Sequence, residues 1–233
     1  MKTFHFIVQS KGGVGKSFLT YLLATKYTEQ EDMLFCDADS STQTSTKQLK
    51  FLAGNRLANI NLLDERKKIA RDKIFEILQE LNEMPYSKIV IDFGAPESEQ
   101  LPALVSVDFT PEDLREFAQF LEANFILNVV IAGGTAFASS AQYLVSIVKA
   151  FKDLFTIKVW VNESTFEGFQ NQKADIKGLA AKLKLEVGEF GDLSQNVIKT
   201  AIVSNIEQGG GLNELSNFMA RKKLEREILN LEI

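Results

Sequence analysis

Short runs that are apolar on both faces alternate with segments of helical periodicity along almost the whole chain. The apolar runs lie at 3–8, 33–38, 87–93, 125–132 and 155–161, and the helical segments at 17–29, 65–83, 111–122, 135–152 and 167–184. Strands of this kind suit a parallel sheet that helices cover on both sides. The pattern predicts an α/β fold with a doubly wound, mostly parallel sheet and ligands at the carboxyl ends of its strands.

The length of the chain suits one domain. Its 233 residues allow a sizeable core, and we expect a single domain over 1–233 that ends in a helix at about 212–230. No apolar run is long enough for a transmembrane helix, and the first apolar run leads straight into a glycine loop, which favours a strand over a signal peptide. We therefore expect a cytoplasmic protein without stable membrane insertion.

The glycine loop has the sequence QSKGGVGKS and occupies residues 9–17. Gly12, Gly13 and Gly15 would let main-chain N–H groups approach phosphate oxygens, with a helix N-terminus behind them. Lys16 would reach the β- and γ-phosphates, and the Ser17 hydroxyl would bind Mg²⁺. The flanking members of this segment, Val14 and Phe18, complete the predicted nucleotide-binding stretch.

Carboxylates follow two further predicted strands. Asp92 ends the strand IVID, at the position that holds Mg²⁺ in nucleotide hydrolases, and the loop beyond it would sense the γ-phosphate. Asp37 and Asp39 end the second strand and share one side if that strand persists. One of this pair could support the metal while the other orients the attacking water.

Together, SKGGVGKS, DAD and IVIDFGAP resemble the ParA/MinD family of deviant Walker A ATPases, whose loop pattern is xKGGxxK[ST]. The resemblance implies ATP and Mg²⁺ as ligands and an ATP-dependent homodimer. It implies that Lys11 reaches the phosphates of the partner subunit, as an arginine finger does. It also implies that Asp39 positions the catalytic water and that Asp37 and Asp92 support Mg²⁺.

A later strand matches the place where members of this family present an asparagine to adenine, so Asn162 is predicted to recognise the base. Two departures from the family pattern surround the carboxylates. Ser40 and Ser41 follow Asp39 where Pro-Gln is common, and Phe93 follows Asp92 where threonine is common. Both departures affect the loops around the γ-phosphate position and leave the nucleotide site intact.

Several branches of the family can be tested by residue type. The single cysteine, Cys36, excludes the iron–sulfur relatives, which need at least a pair in each chain. A membrane-positioning helix would be basic and strongly amphipathic, whereas the tail RKKLEREILNLEI carries three glutamates. We interpret this tail as a helix docked on the domain.

The predicted function is an ATP-dependent switch that hydrolyses ATP slowly, is stimulated by a partner protein, and serves plasmid or chromosome partition or a mobile element. Nonspecific DNA binding would use basic residues, and two clusters offer them: Arg66, Lys67, Lys68, Arg71 and Lys73 on the third helix, or Lys173, Lys177, Lys182 and Lys184. The net charge of −5 does not itself indicate nucleic-acid binding. The alternatives are an ATP-dependent ligase of the dethiobiotin-synthetase type and a nucleotide-gated adaptor with negligible turnover.

Overall fold

The computed structural model describes residues 1–52, 54–193 and 197–233, and seven strands within them form one sheet. The strands are β1 (Lys2–Val8), β2 (Met33–Ala38), β3 (Leu57–Asn59), β4 (Lys88–Phe93), β5 (Ala123–Ile131), β6 (Thr156–Asn162) and β7 (Glu186–Phe190). Their order is β3-β2-β4-β1-β5-β6-β7, and every pairing is parallel. The predicted parallel sheet is confirmed.

Helices cover both faces of this sheet. They are α1 (Lys16–Lys26), α2 (Thr44–Gln48), α3 (Lys73–Glu83), α4 (Ala95–Ala103), α5 (Pro111–Phe120), α6 (Phe137–Phe151), α7 (Gln170–Leu183), α8 (Val197–Glu207) and α9 (Phe218–Leu229). Two separate apolar cores result: α3 to α7 pack on one face, and α1, α8 and α9 pack on the other. The doubly wound α/β architecture is therefore also confirmed.

The register of the central strands determines where the site forms. Ile7 of β1 lies opposite Asp92 of β4, and Asp92 lies opposite Asp37 of β2. Because parallel strands end at the same edge of a sheet, both carboxylates and the glycine loop meet at one edge. In the sheet, β2 and β3 lie on one side of β1, and β5, β6 and β7 lie on its other side. The strand order therefore changes direction between β1 and β4, which is where a doubly wound fold opens a crevice for a ligand.

The third predicted helix begins later than expected, and this is a correction. The sequence pattern placed it at 65–83, but α3 begins at Lys73. The preceding residues form a tight loop in which the Asp64 carboxylate accepts the backbone N–H groups of Arg66 and Lys68, each at 2.8 Å. Lys67 has a φ of 59°, which no helix tolerates. Of the basic residues predicted on this helix, only Lys73 belongs to it, and Arg66, Lys67, Lys68 and Arg71 lie on the preceding loop.

The C-terminal helix is also shorter than predicted. We expected it at about 212–230, but it begins at Phe218, where the Asn217 side chain accepts the N–H of Ala220 at 3.0 Å. Leu224 and Leu231 are fully buried in the core that α1 shares, so the prediction of a docked helix is confirmed. In the described part of the chain, no helix combines the length and the apolar character that crossing a membrane requires.

The sequence analysis missed α4, which begins with Ala95, so Pro96 belongs to a helix and not to the predicted loop. The helix is polar, contains a second proline at Pro102 and runs into a π-helical turn at Leu104–Asp108. A helix with two prolines and no apolar stripe gives little periodic signal. Its first turn lies directly after Asp92 and therefore borders the site.

His5 provides a test of the buried sheet. It lies in β1 between β4 and β5, is 1% exposed, and neither ring nitrogen has a hydrogen-bond partner among the described residues. Burial, together with the positive charges of Lys88 and Lys158, lowers the pKa of His5 to about 4. The unfolded chain, with a histidine pKa near 6.5, therefore binds more protons than the folded chain between about pH 4 and pH 6.5.

We predict that this histidine contributes a loss of roughly 3 kcal/mol in the free energy of unfolding as the pH falls from 7 to 4. Replacing His5→Leu removes the titrating ring, so the variant should lose less stability over that window. Urea unfolding of both proteins at several pH values measures the difference. Parallel curves for the two proteins would contradict the prediction.

Candidate nucleotide-binding site

The glycine loop connects β1 to α1 and is anchored from below. Gly13 and Gly15 have φ values of 74° and 105°, which favour glycine. Gln9 is fully buried, and its side-chain amide donates to the carbonyl of Val130 at 2.8 Å. Its backbone N–H donates to the Ser98 hydroxyl at 3.2 Å. Gln9 thus ties the start of the loop to β5 and α4, a role that the sequence analysis missed.

The first turn of α1 has no side-chain cap, because Gly15 stands at the capping position. Its backbone N–H groups are the natural binding site for an anion. Lys16, in that same turn, is 8% exposed. Burial lowers the pKa of Lys16, and the negative charges of Asp92, Asp39 and Glu97 act in the opposite direction. The ammonium group therefore lies within electrostatic range of three carboxylates.

Asp92, a predicted Mg²⁺ ligand, is buried near the end of β4 with only one of its two carboxylate oxygens hydrogen-bonded within the described part of the chain. One carboxylate oxygen accepts the Ser45 hydroxyl at 2.6 Å, whereas the other is buried without a partner among the described residues. Burial raises the pKa of Asp92 to about 6, against the hydrogen bond from Ser45, the nearby Ser17 hydroxyl and the charge of Lys16. Ser17 and Asp92, both predicted Mg²⁺ ligands, therefore lie near each other.

Asp37 is also buried, but the protein already satisfies its oxygens. One oxygen accepts the N–H and the hydroxyl of Thr46 at 2.6 and 2.8 Å, and the other accepts the N–H of Asp39 at 3.1 Å. The carboxylate therefore anchors the start of α2 and shapes the loop after β2. Its predicted support of Mg²⁺ remains a prediction.

The loop after β2 closes around Asp39. The carboxylate accepts both hydroxyl groups of Ser41 and Thr42, each at 2.6 Å, and their backbone N–H groups at 2.9 and 3.1 Å. Burial alone would raise the pKa of Asp39, but these four hydrogen bonds outweigh it and the pKa is lowered. Asp39 is therefore an ionised acceptor in a fixed position, which suits a residue that orients water.

Glu97 is a residue that the sequence analysis missed as part of the site. It lies in the first turn of α4 and is 2% exposed. Glu97 lies five residues after Asp92 and directly after Pro96, and this placement is a usable signal. The signal is weak because the segment 97–122 contains several other acidic residues. The structure places its carboxylate beside Asp39 and Gly94.

Asn162 ends β6 on the other side of β1. Its amide nitrogen donates to the carbonyl of Val14 at 2.8 Å, and its amide oxygen accepts the Ser164 hydroxyl at 2.8 Å. Val14 itself is buried in the core beneath the loop. Asn162 therefore braces the glycine loop, and its predicted contact with adenine stays a prediction.

A polar cavity of about 250 Å³ opens beside Asn162, at the ends of β6 and β7, and Ser164, Gly191 and Lys199 are among the residues that line it. Phe18 of α1 packs against Phe190, the last residue of β7, with ring centres 6.0 Å apart. The position and polarity of this cavity suit the nucleoside part of a nucleotide whose phosphates lie on the loop.

The two basic clusters differ in how many of their positive charges already pair with other groups of the protein. Lys173 forms ion pairs with Glu163 and Glu189, and Lys177 pairs with Glu189. The remaining residues divide as follows: Arg71 pairs with Asp108, Lys73 donates to the carbonyl of Leu63, and Arg66, Lys67, Lys68, Lys182 and Lys184 are exposed. The loop around Lys67 therefore offers the more available positive charge.

The parallel sheet and its glycine loop between strand and helix define a P-loop nucleotide-binding fold. No family model matches the chain. One curated relative, the protein TraL of Escherichia coli, is 26% identical over 180 residues, which are 75% of this chain and 71% of TraL.

Solved structures agree on the fold over nearly the whole chain. The MinD cell division protein of Aquifex aeolicus matches with a TM-score of 0.56 and 17% identity, covering 100% of this chain and 98% of that protein. A ParA family ATPase from Chlorobium tepidum TLS gives 0.57 and 15%, covering 99% of each chain. A plasmid partition protein of Borrelia burgdorferi B31 bound to AMPPNP gives 0.52 and 18%, covering 98% and 96%. The chain thus has the fold of the ParA/MinD ATPases, as its motifs indicated.

Gly15 allows a test of the loop geometry. A Cβ atom there would lie 2.4 Å from the amide nitrogen of Asn162, and the φ of 105° would strain any other residue. We predict that Gly15→Ala destabilises the fold by roughly 1–3 kcal/mol and abolishes binding of a non-hydrolysable ATP analogue. Thermal unfolding and calorimetric titration measure the two effects.

Gly178→Ala is the matched control, because Gly178 lies within α7 with nothing near its Cβ position. It should stabilise the protein slightly through helix propensity and leave analogue binding unchanged. Equal behaviour of the two variants would contradict the role assigned to Gly15.

Proposed function

We propose that this protein is an ATP-dependent dimerising switch that hydrolyses ATP to ADP and phosphate. The observation that carries the proposal is the placement of Lys16 at the start of α1, within electrostatic range of the carboxylates that follow β2 and β4. An uncapped helix N-terminus and a buried ammonium group bind phosphates, and ordered carboxylates beside them can hold a metal and a water.

The residues around Asp92 fit Mg²⁺. The buried carboxylate oxygen without a partner can bind a cation, and the Ser17 hydroxyl lies near the same carboxylate. The described residues contain no cluster of three or more metal-binding side chains. Mg²⁺ keeps several waters and takes phosphate oxygens as ligands, so one carboxylate and one hydroxyl of the protein would be enough to hold it. When bound, the ion would neutralise negative charge on the β- and γ-phosphates.

Hydrolysis requires a water molecule aligned with the γ-phosphate. Asp39 is ionised and fixed by its loop, so it can accept a hydrogen bond from that water. The water oxygen forms a bond to the γ-phosphorus while the bond to the β-phosphate oxygen breaks, and ADP keeps the electron pair. The proton of the water leaves with the phosphate or to solvent. Lys16 offsets charge on the transferred group.

The side chain of Lys11 is exposed, whereas that of Lys16 is buried. An exposed lysine at the mouth of the loop can reach the phosphates of a second subunit, which would make hydrolysis depend on the dimer. The proposed cycle therefore consists of ATP-dependent dimerisation, slow hydrolysis that a partner protein stimulates, and release. The fold shared with a ParA family ATPase and a plasmid partition protein supports a role in partition or in a mobile element.

We place the protein in the cytoplasm and propose two classes of partner, a stimulating protein and nonspecific DNA. The exposed loop residues Arg66, Lys67 and Lys68 supply the positive charge for DNA. Binding to phosphates of this kind weakens steeply with salt. A salt titration with duplex DNA, in ATP and in ADP, separates a DNA partner from a protein scaffold.

The ligase alternative requires a substrate pocket beside the γ-phosphate. The polar cavity near Asn162 lies at the ends of β6 and β7, on the other side of β1 from Asp39. This position suits a nucleoside better than a second substrate. ATP hydrolysis that depends on a metabolite would favour the ligase, and ATP-dependent partner binding without phosphate release would favour the adaptor.

For Lys11→Ala we predict retained ATP binding, within about threefold, and a loss of turnover of at least about 100-fold, since a positive charge supplied in trans contributes 10³–10⁵ in related reactions. Equilibrium binding of a fluorescent ATP analogue and phosphate release measure the two effects. Lys152→Ala, also an exposed lysine but outside the site and both basic clusters, is the control and should hydrolyse ATP normally. Unchanged turnover in Lys11→Ala would refute the role in trans.

A further inference from the structure

Glu97 is a buried carboxylate, and the described residues donate hydrogen bonds to only one of its two oxygens. Its Oε1 accepts the backbone N–H of Ser40 at 3.3 Å and also the Ser40 hydroxyl. Its Oε2 is buried without a hydrogen-bond partner among the described residues. Burying a polar atom without a partner is unfavourable, and such an atom requires an explanation, for example a catalytic role or a bound water or ion.

The contact with Ser40 joins the two loops that border the γ-phosphate position. Ser40 follows Asp39 after β2, and Glu97 lies in the first turn of α4 after β4. A proline at position 40 would lack both the N–H and the hydroxyl that Glu97 accepts. The serine at position 40 therefore matches the glutamate at position 97, and its two hydrogen bonds fix the orientation of the glutamate side chain.

Gly94 shows where the free oxygen points. A Cβ atom on Gly94 would lie 2.1 Å from Oε2 of Glu97 and 3.1 Å from Oδ1 of Asp39. The two carboxylates therefore border the same small region after the end of β4. Oδ1 of Asp39 already accepts three hydrogen bonds, whereas Oδ2 accepts only the Thr42 hydroxyl among the described groups, so Oδ2 is the oxygen of Asp39 that can accept from a water. The electrostatic effect of Glu97 and Asp39 on Lys16 places that region next to the predicted γ-phosphate site.

We propose that Glu97 is a further catalytic residue, which holds the attacking water jointly with Asp39. This inference rests on the proposed ATP hydrolysis. Two carboxylate acceptors on one side of a water engage both of its hydrogens, so that a lone pair of its oxygen faces the γ-phosphorus. Glu97 accepts a hydrogen bond in this arrangement, and Lys16 balances the added negative charge.

Glu97→Gln tests this role, because glutamine keeps the shape and an oxygen that can accept from Ser40. Its amide nitrogen would donate to Asp39 and would no longer accept from the water. We expect kcat to fall at least tenfold, analogue binding to stay within about threefold, and the thermal midpoint of the nucleotide-free protein to rise. The rise follows because a hydrogen bond replaces the repulsion between two neighbouring carboxylates.

Glu99→Gln is the matched control, since Glu99 is an exposed residue of the same helix. It should leave kcat and the thermal midpoint unchanged. Ser40→Ala is the second variant: loss of the hydroxyl should lower kcat about threefold to tenfold without weakening analogue binding. It provides an independent result if Glu97→Gln does not fold.

The inference is overturned if Glu97→Gln turns over ATP at the wild-type rate, since a purely structural clamp to Ser40 survives that substitution. It is also overturned if kcat and analogue binding fall together, or if Ser40→Ala hydrolyses ATP normally. Absence of ATP hydrolysis in the wild-type protein, with or without added DNA, would instead refute the proposed function itself.

Discussion

The parallel register of β1, β4 and β2 is the constraint on which the site depends. It places Asp37 opposite Asp92 and brings the glycine loop to the same edge of the sheet. The start of α2 depends on that alignment, because the Thr46 hydroxyl donates to Asp37 and the Ser45 hydroxyl donates to Asp92. A slip of one residue between these strands would turn the carboxylates to opposite faces.

Two buried carboxylate oxygens at this edge, one on Asp92 and one on Glu97, lack hydrogen-bond partners among the described residues. Leaving a buried acceptor unsatisfied costs about 1–3 kcal/mol. The fully satisfied Asp37, on the adjacent strand, shows that the fold can supply donors where they are needed. The two free oxygens therefore mark the positions where a cation and a water are expected to bind.

The sequence predicts the sheet, because apolar runs with two buried faces have few other uses, and it predicts the glycine loop from its spacing. It does not predict α4, whose two prolines and polar surface hide its helical period. It also misplaces the start of α3, because Asp64 captures the backbone N–H groups that a helix would use.

Contacts between residues remote in sequence explain why the sequence does not predict two residues of the site. Gln9 and Glu97 belong to the site through contacts with Val130 and Ser40, which are remote in sequence. Local spacing carries no information on such contacts. The family resemblance singles out Asn162, yet its contact with the Val14 carbonyl depends on how β6 lies beside the loop.

The most direct test of the account is the mass of the protein in solution at micromolar concentration, measured by light scattering with ATP and with ADP. Asp39→Ala should slow hydrolysis and therefore accumulate the dimer in ATP, while the wild-type protein should return to monomer as ADP forms. If both proteins remain monomeric in ATP and in a non-hydrolysable analogue, the nucleotide-gated dimer is contradicted.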